Sequence, residues 1–540
     1  MLTFIESYSC CSFRDRLAGF KVAMIDDGPK DIDSQTSIIP GIPVRKWNTP
    51  QESAKLKTVN DIWAGLSSES LHSPVLAETL MSARKRAAGR SSIRPVHPID
   101  EQTRYEAYNR LRQRMFDLVR GENCDSRRGW VRSFERWQYL SKNYEWSPEY
   151  TQLVGNLAFL DPLLPSVSEN NPAEQNLFED LKKLENMSFD GASRVSRSIQ
   201  RDSAHLSDQL FKRMMLRIRK ERDQTESSFS VTVVSNKYNG DLKVSLEGNN
   251  GIDIPSARHR VFTISAAHAL KLRLLFDWNK LVASTGGVTL EGTVSRPEGE
   301  EGGDGEHVAA QNDRSIDFEN HMFCVLARYS VLEGYGWQAA VAQTVLRALQ
   351  KDFGVSVECF SSPLNSYLPS YCSLFPDTDA HFGSIGSFFD LDPSEGSFEA
   401  NPPFVTSLMV QMVARMEHLL SAATGPMSFA VVVPAWVEDP HWDLLTSSRF
   451  NRGHFTVAAA EHSYCDGGQH ENSIIQDFRP APFDTAVFFL QNDAGSEKWP
   501  LSVESEARLR SAFAEAKPSP ETLKNQRDRG LYVPKSKAQK

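Results

Sequence analysis

From Ile316 to about Pro500, short apolar segments alternate with longer amphipathic ones, and this alternation constrains the fold more than any other feature of the chain. Val355–Phe360, Ser397–Ala400, Phe429–Val433, Phe455–Ala459 and Ala486–Leu490 read as strands. Between them, residues 338–351 read as a helix. So does the segment after Phe404, where Val405, Leu408, Met409, Met412, Val413, Met416, Leu419 and Leu420 follow i, i+3, i+4, i+7 spacing. The unbroken apolar run Phe429–Val433 suits a central strand covered on both faces. Such a series requires a mainly parallel sheet with helices packed on it, so residues 315–516 are expected to form an α/β domain. Ligands of open parallel sheets bind beyond the carboxyl ends of the strands. Three loops meet that condition: Ser361–Asn365, Asn401–Phe404 and Pro434–Glu438.

Upstream, the periodicity changes to helical. Tyr105, Tyr108, Leu111, Met115 and Leu118 share one face, and Phe134, Trp137 and Leu140 share another. Ser207–Arg222 places Leu210, Met214, Met215 and Ile218 on one side and Lys212, Arg213, Arg217, Lys220 and Arg222 on the other. That basic side reads either as a solvated face or as a phosphate-contacting surface. Phe229–Leu246 reads as a hairpin turning at Asn239-Gly240, His259–Ser265 as a strand and Ala266–Trp278 as a helix. Residues 101–284 are therefore expected to form a mainly helical domain with a small β-hairpin. Residues 1–100 are polar and read as poorly structured, 285–314 as a disordered Gly/Glu-rich linker, and 517–540 as a mobile basic tail.

The 540 residues carry a formal net charge of −9, which argues against a protein that coats nucleic acid nonspecifically. Local recognition stays open, because Arg194–Arg222 holds nine Lys/Arg against three Asp/Glu. No apolar run approaches the length of about 18 residues that a transmembrane helix requires, and the first twenty residues do not read as a signal peptide. Seven scattered cysteines without a C-x-x-C favour a reducing, intracellular compartment over a zinc ribbon or disulfide scaffold. Arg84-Lys85-Arg86, with Arg90 and Arg94, reads either as a nuclear-import signal or as a solvated helix face.

Asn401, Pro402, Pro403 and Phe404 stand at the junction between an expected strand and the helix that follows. Asn-Pro-Pro-aromatic in that position is the signature of enzymes that methylate a planar amino group. Such an amine is a poor nucleophile, because its lone pair is delocalised, so it must be oriented and its developing charge stabilised. An Asn side-chain oxygen and a proline carbonyl can accept its two N–H bonds. The prolines stiffen the loop and remove competing donors, and the aromatic ring can stack on a base. Elsewhere the residues leave alternatives. Trp436 reads as core packing or as a stacking platform. Phe382-Gly383-Ser384-Ile385-Gly386-Ser387 reads as a turn or as a backbone approach to a cofactor. Glu461 and His462 could form an acid/base pair, but amine methylation needs no strong base, so a binding or packing role is preferred. No G-x-G-x-G follows the first strand, and no metal-ligand spacing competes for the site.

Several segments carry a family resemblance: VECFSSPLNSYLPSYCSLFPDTDAHFGSIGSFF, GSFEANPPF, PMSFAVVVPAW, AAEHSY and DTAVFFLQND with Lys498-Trp499. In order and spacing they resemble the phosphorylated-CTD-interacting factor family, the cap-specific adenosine N6-methyltransferases, over roughly 150 residues. Asp161-Pro162-Leu163-Leu164-Pro165-Ser166 resembles an upstream element of the same family. The resemblance implies a class I, Rossmann-like methyltransferase domain with an attached helical domain. It implies S-adenosyl-L-methionine as cofactor and methyl transfer to N6 of the adenosine next to the 7-methylguanosine cap of mRNA, in the nucleus. It further implies that Asn401, Pro402, Pro403 and Phe404 hold the acceptor amine. Ser362, Asn365, Phe382, Gly383, Asn401, Glu461 and His462 would then meet the cofactor, and Trp436 and Glu438, with Lys212, Arg213 and Arg217, the RNA.

Animal members of the family begin with a WW domain that reads the phosphorylated polymerase tail. No WW pattern is legible here, since Trp47 and Trp63 lack the aromatic and proline context, so contact with the transcription machinery is left without a sequence basis. Val405 and Thr406 stand where animal members carry an acidic residue. Two other readings compete: an enzyme acting on DNA adenine, on other RNA or on a glutamine amide, and a noncatalytic protein that binds capped RNA or a transcription complex.

Overall fold

The structure is a computed structural model and describes residues 74–93, 96–122, 124, 129–145, 161–166, 172–222, 229–236, 241–248, 261–284, 304–332, 338–465, 467–471 and 478–516. The helical part comprises α1 (Pro74–Ile93), α2 (Pro98–Gly121), α3 (Gly129–Glu145), α4 (Pro172–Lys182) and α5 (Phe189–Arg222). A three-stranded antiparallel sheet follows, in the order β1 (Phe229–Ser235), β2 (Leu242–Gly248), β3 (Phe262–Ile264). Then come α6 (Ala266–Ser284), α7 (Asp304–Ser330) and α8 (Gln343–Phe353).

The larger sheet is built from β4 (Val357–Ser361), β5 (Tyr371–Ser373), β6 (Gly396–Ala400), β7 (Met427–Pro434), β8 (Asn451–Val457) and β11 (Thr485–Gln491). Helices α9 (Thr406–Ala422) and α10 (Pro440–Ser447) lie between these strands in sequence. The small antiparallel pair β9 (Ser463–Cys465) and β10 (Phe478–Pro480) precedes β11, and α11 (Asp493–Lys498) and α12 (Val503–Glu515) close the described chain. The sheet order is β5-β4-β6-β7-β11-β8. Strands β5, β4, β6 and β7 are mutually parallel, and β11 runs antiparallel to both β7 and β8. The expected parallel α/β sheet is thus present as a mostly parallel one with a reversed strand.

All eight residues of β7 and all seven of β11 are buried, as expected for central strands covered on both faces. On one face pack Met409, Met412, Val413, Met416, Leu419 and Leu420 of α9, with Phe398, Phe429 and Phe488 of the sheet. On the other pack Val345, Leu346, Leu349 and Phe353 of α8 and Leu509 and Phe513 of α12. This second core continues without a break into the helices upstream.

The upstream boundaries depart from the sequence expectation in two places. Residues 74–93 are not loose: α1 buries Leu76, Leu80 and Ala83 in the α9-side core of the sheet. Gly396, at φ +134, starts β6 where an added Cβ would lie 3.0 Å from Leu76 Cδ2. Arg84 is half-buried and donates to Ser370 Oγ at 2.9 Å, and desolvation lowers its pKa to about 10, so it is not part of a fully solvated face, whereas Lys85 and Arg86 are exposed. Likewise the supposed linker becomes helix at Asp304, where Val308-Ala309-Ala310 replaces the glycines with helix formers. Residues 285–303, the tail 517–540, Cys10-Cys11, Trp47 and Trp63 lie outside the described residues.

Charge joins the helical part to the sheet. Arg328 of α7, wholly buried, donates to Glu101 of α2 at 2.6 Å and to Asp377, beyond β5, at 3.0 Å. Arg104 of α2 pairs with Glu101 and, at 2.8 Å, with Asp161. Asp161 also accepts the backbone N–H groups of Leu163 and Leu164. The segment 161–166 is therefore held by buried carboxylates rather than by periodic packing.

Candidate functional site

Strands β4, β6, β7 and β8 end on the same edge of the sheet, where the reversed strand β11 begins. Thr485 pairs with Pro434 on one side and Val457 on the other. At this edge β6 passes into Asn401-Pro402-Pro403-Phe404, and the turn closes by a Val405 N–H to Pro403 carbonyl bond of 2.7 Å. Thr406, at the start of α9, donates to Asp439 Oδ2 at 2.5 Å. Asp439 caps α10 and closes the loop after β7, so the Asn401 and Trp436 loops are fastened to each other.

Asn401 is 8% exposed, and its Oδ1 is buried without a hydrogen-bond partner among the described residues. A buried acceptor left unbonded costs about 1–3 kcal/mol. Beside it, Phe404 meets three rings edge-on: Phe483 at 5.5 Å, Tyr464 at 5.9 Å and Trp436 at 6.4 Å between centroids. Trp436 also meets Phe483 at 5.5 Å. Phe404 and Phe483 are half-buried. Trp436, Val437 and Glu438 form the open lip, with Trp436 36% exposed and Val437 60% exposed.

A polar relay fixes Tyr464. His462 Nδ1 lies 2.9 Å from the Ala458 carbonyl, which can only accept, so Nδ1 carries the proton. Burial lowers the His462 pKa, so the ring is neutral and Nε2 accepts from Thr485 Oγ1 at 2.8 Å. Thr485 Oγ1 in turn accepts the Tyr464 hydroxyl at 2.6 Å. Both ring nitrogens of His462 are thereby committed within the protein, and its side chain is a buried support for Tyr464. Glu461 beside it is exposed.

The loop after β4 is held just as tightly. Asn365 Oδ1 accepts from Ser362 N–H at 2.7 Å and Ser362 Oγ at 2.8 Å, and Asn365 Nδ2 donates to the Gln338 carbonyl. Glu358 of β4 accepts the N–H groups of Tyr367 and Leu368 at 2.8 and 2.6 Å and the Ser361 hydroxyl at 3.3 Å. Lys271 reaches from α6 to the Leu364 carbonyl at 3.3 Å. Burial pushes the Glu358 pKa up and the Lys271 pKa down, and their mutual attraction opposes both shifts. The side chains of Ser362 and Asn365 thus shape this loop.

Phe382 and Gly383 keep different company. Phe382 is fully buried against Phe276 at 5.7 Å, and its carbonyl accepts from Tyr371 of β5. Gly383, at φ +99, has room for no side chain, because a Cβ would lie 2.9 Å from the Pro369 carbonyl. Their contacts are with the edge strand and α6, not with the Asn401 loop.

On α5, Arg213 is exposed and Lys212 pairs with Asp208 at 2.7 Å. Arg217 turns inward to Asp100 at 2.6 Å, both side chains being 13% exposed. The expected open cationic face is narrowed accordingly.

Sequence reasoning missed Phe483, Thr485, Glu358, Glu399 and Lys271. The two glutamates carried a usable signal, since charged residues inside the otherwise apolar strands VECFS and GSFEA are seldom buried without a reason. Among the described residues, no group of three or more His, Cys, Asp or Glu is placed to hold a metal ion, and no helix is long and apolar enough to cross a membrane.

A family profile described as "Phosphorylated CTD interacting factor 1 WW domain" matches residues 305–467. This corrects the expectation that nothing in the chain answers to that description. The matched residues span nearly all of α7 and continue through β9. Over 207 residues the chain is 43% identical to the human "mRNA (2'-O-methyladenosine-N(6)-)-methyltransferase" and 42% identical to the mouse protein of that name. The matched part makes up 37% of this chain and 29% of each relative, so the chain aligns with less than a third of their length.

Proposed function

We propose that this chain is a methyltransferase that moves a methyl group from S-adenosyl-L-methionine to N6 of the adenosine adjacent to the 7-methylguanosine cap of mRNA. The observation that carries this reading is the Asn401 side-chain oxygen, buried and unbonded in an Asn-Pro-Pro-Phe turn at the carboxyl end of β6. The printed names of the human and mouse relatives support the same chemistry. We read the sheet as a class I, Rossmann-like methyltransferase domain to which the upstream helices are attached.

The residues present fit the donor. Buried acceptor oxygens of Glu399 and Asn401, at the carboxyl end of β6, lack partners among the described residues, and the Ser361–Asn365 loop stands at the end of β4, the usual position for a ligand of such a sheet. When bound, the donor supplies an electrophilic methyl on a sulfonium. The chain supplies the orientation. Asn401 Oδ1 and the Pro402 carbonyl accept the two N–H bonds of the exocyclic amine and turn its lone pair outward. Those acceptors gain strength as the nitrogen becomes positive. Phe404, backed edge-on by Tyr464 and Phe483, offers a ring face for the base. The ring of Trp436 at the lip is free to stack on a neighbouring base or on the cap. The nitrogen loses its proton only after it has become cationic, so no strong base is needed, in keeping with a His462 held neutral inside the protein.

The substrate is capped RNA beginning with adenosine, and the exposed cations of α5 contact its phosphates. The profile's description supports the transcription machinery as a further partner and, with it, a nuclear location. The test is mass spectrometry of RNA incubated with enzyme and S-adenosyl-L-methionine. N6-methylation is expected on the first adenosine of 7-methylguanosine-capped RNA and not on the same RNA bearing a 5′ triphosphate. Equal modification of internal adenosines would indicate a general RNA or DNA enzyme, and absence of any product would leave only a binding protein.

A further inference from the structure

We propose that Glu399 is the counter-charge for an α-ammonium group, the cationic amino-acid end of the methyl donor, held beneath Asn401 at the end of β6. The inference deepens the reading above and rests on it. Glu399 is 2% exposed, and its Oε1 is buried with no hydrogen-bond partner among the described residues. It is the next-to-last residue of β6, two positions before Asn401, which follows the strand's end, and it acts electrostatically on Tyr464, whose ring packs against Phe404. Two buried oxygens without partners among the described residues thus lie two positions apart at the carboxyl end of β6.

The neighbours explain why a cation is the right complement. In the register of β4 with β6, Glu358 is the residue opposite Glu399 and faces the same side. Glu358 is satisfied by two backbone N–H groups, the Ser361 hydroxyl and the nearby charge of Lys271. Glu399 has no such set. Its neighbour on the other side is Ala430 of β7, which offers no charge. The remaining titratable groups near it are Cys359 on β4 and Tyr464 on β9, neither of them a cation. Burial first, and Glu358 second, push the Glu399 carboxyl well above its ordinary pKa. A buried carboxyl with no cation beside it favours its protonated form. On binding, the carboxyl gives that proton to solvent, and the carboxylate pairs with the incoming ammonium, so charge balances: one cation enters and one proton leaves.

The experiment is calorimetric titration of the purified chain with S-adenosyl-L-methionine and, separately, S-adenosylhomocysteine. The second compound keeps the ammonium and lacks the sulfonium. Each is run between pH 6 and pH 8 in two buffers of different ionisation enthalpy. Wild type is expected to release about one proton per ligand from Glu399, with affinity rising by up to about tenfold per pH unit. Glu399→Gln should release about one proton fewer and bind about 10- to 100-fold more weakly at pH 8, with an unliganded melting curve no lower than wild type. Glu399→Asp keeps the ionisable group and should keep the proton release at reduced affinity. Release with S-adenosyl-L-methionine but not with S-adenosylhomocysteine would assign the charge to the sulfonium and overturn the proposal. So would equal release from wild type and Glu399→Gln, or no release from wild type. Failure of every protein to bind either compound would sink the methyltransferase reading itself.

Discussion

At Asn401 the position of a single oxygen decides both stability and chemistry. Because its Oδ1 has no partner among the described residues, removing it takes away a cost rather than a bond. We therefore expect Asn401→Ala to melt at the wild-type temperature or slightly above it, while turnover falls by about 10²–10³. Both are read on one preparation by thermal unfolding and by methyl transfer to capped RNA, and wild-type turnover in the folded variant would remove Asn401 from the mechanism. Much of this turn was legible from sequence, since the motif, the strand before it and the helix after it are contiguous. The ring cluster around it was not. Phe483 and Thr485 arrive at the edge only because β11 runs against its neighbours, and local periodicity does not encode that reversal. The same holds for His462: its strand-end position was visible, but its two hydrogen-bond partners were not.

At the scale of single elements, α5 and the turn after β5 make separable predictions. Within the stretch 207–222 of α5, the outward cations among the described residues are Lys212, Arg213 and Arg219, whereas Arg217 is bound to Asp100. Changing the three outward residues to Glu should lower the salt slope of capped-RNA binding by about 2–3, because each phosphate contact contributes about 0.7–0.9. Donor binding should be untouched, and an unchanged slope in titrations at two salt concentrations would mean that this face is merely solvated.

Near the end of β5, Asp379 is fully buried and accepts from the Tyr329 hydroxyl at 2.6 Å and from Thr378 at 2.9 Å. Burial nevertheless raises its pKa to about 7. Between about pH 4, where an unfolded aspartate ionises, and pH 7, the native state holds the extra proton. This contribution to stability is therefore present at low pH and lost as pH rises through that window. Urea unfolding across the window should show a decline that Asp379→Asn flattens; parallel curves for the two proteins would contradict the assignment. Helix α9 was plain in the sequence because its seven apolar positions form one dense stripe. Helix α1 was not, because Leu76, Leu80, Ala83 and Ala87 are spaced by polar residues and the surrounding composition looks loose.

Across the whole molecule, the helical part and the sheet share one hydrophobic core and one buried ion network. Arg328 is the node, reaching α2 through Glu101 and the sheet through Asp377. Removing one partner of a buried pair strands the others, so Arg328→Ala should cost about 3–5 kcal/mol. Wild type should unfold in one transition, with helix loss and tryptophan exposure coincident, and the variant should lose the helical part first. Coincident transitions in the variant would show that the apolar contacts suffice. This dependence was hidden from sequence because Glu101, Asp161, Arg328 and Asp377 lie in four distant segments, each ordinary by itself.

The seating of α1 also bears on how the chain is made. Arg84 and Ser370 are 286 positions apart, and the strand residues that share a core with Leu76 and Leu80 all lie at or beyond Val357. At about 5–20 residues per second, α1 waits on the order of 15–60 s for the surface that covers it. During that interval its Leu76, Leu80 and Ala83 face is exposed on the nascent chain. The large sheet is thus closed by a piece synthesised long before it, and a chaperone that shields the emerging helix would raise the yield of folded protein without touching the sheet.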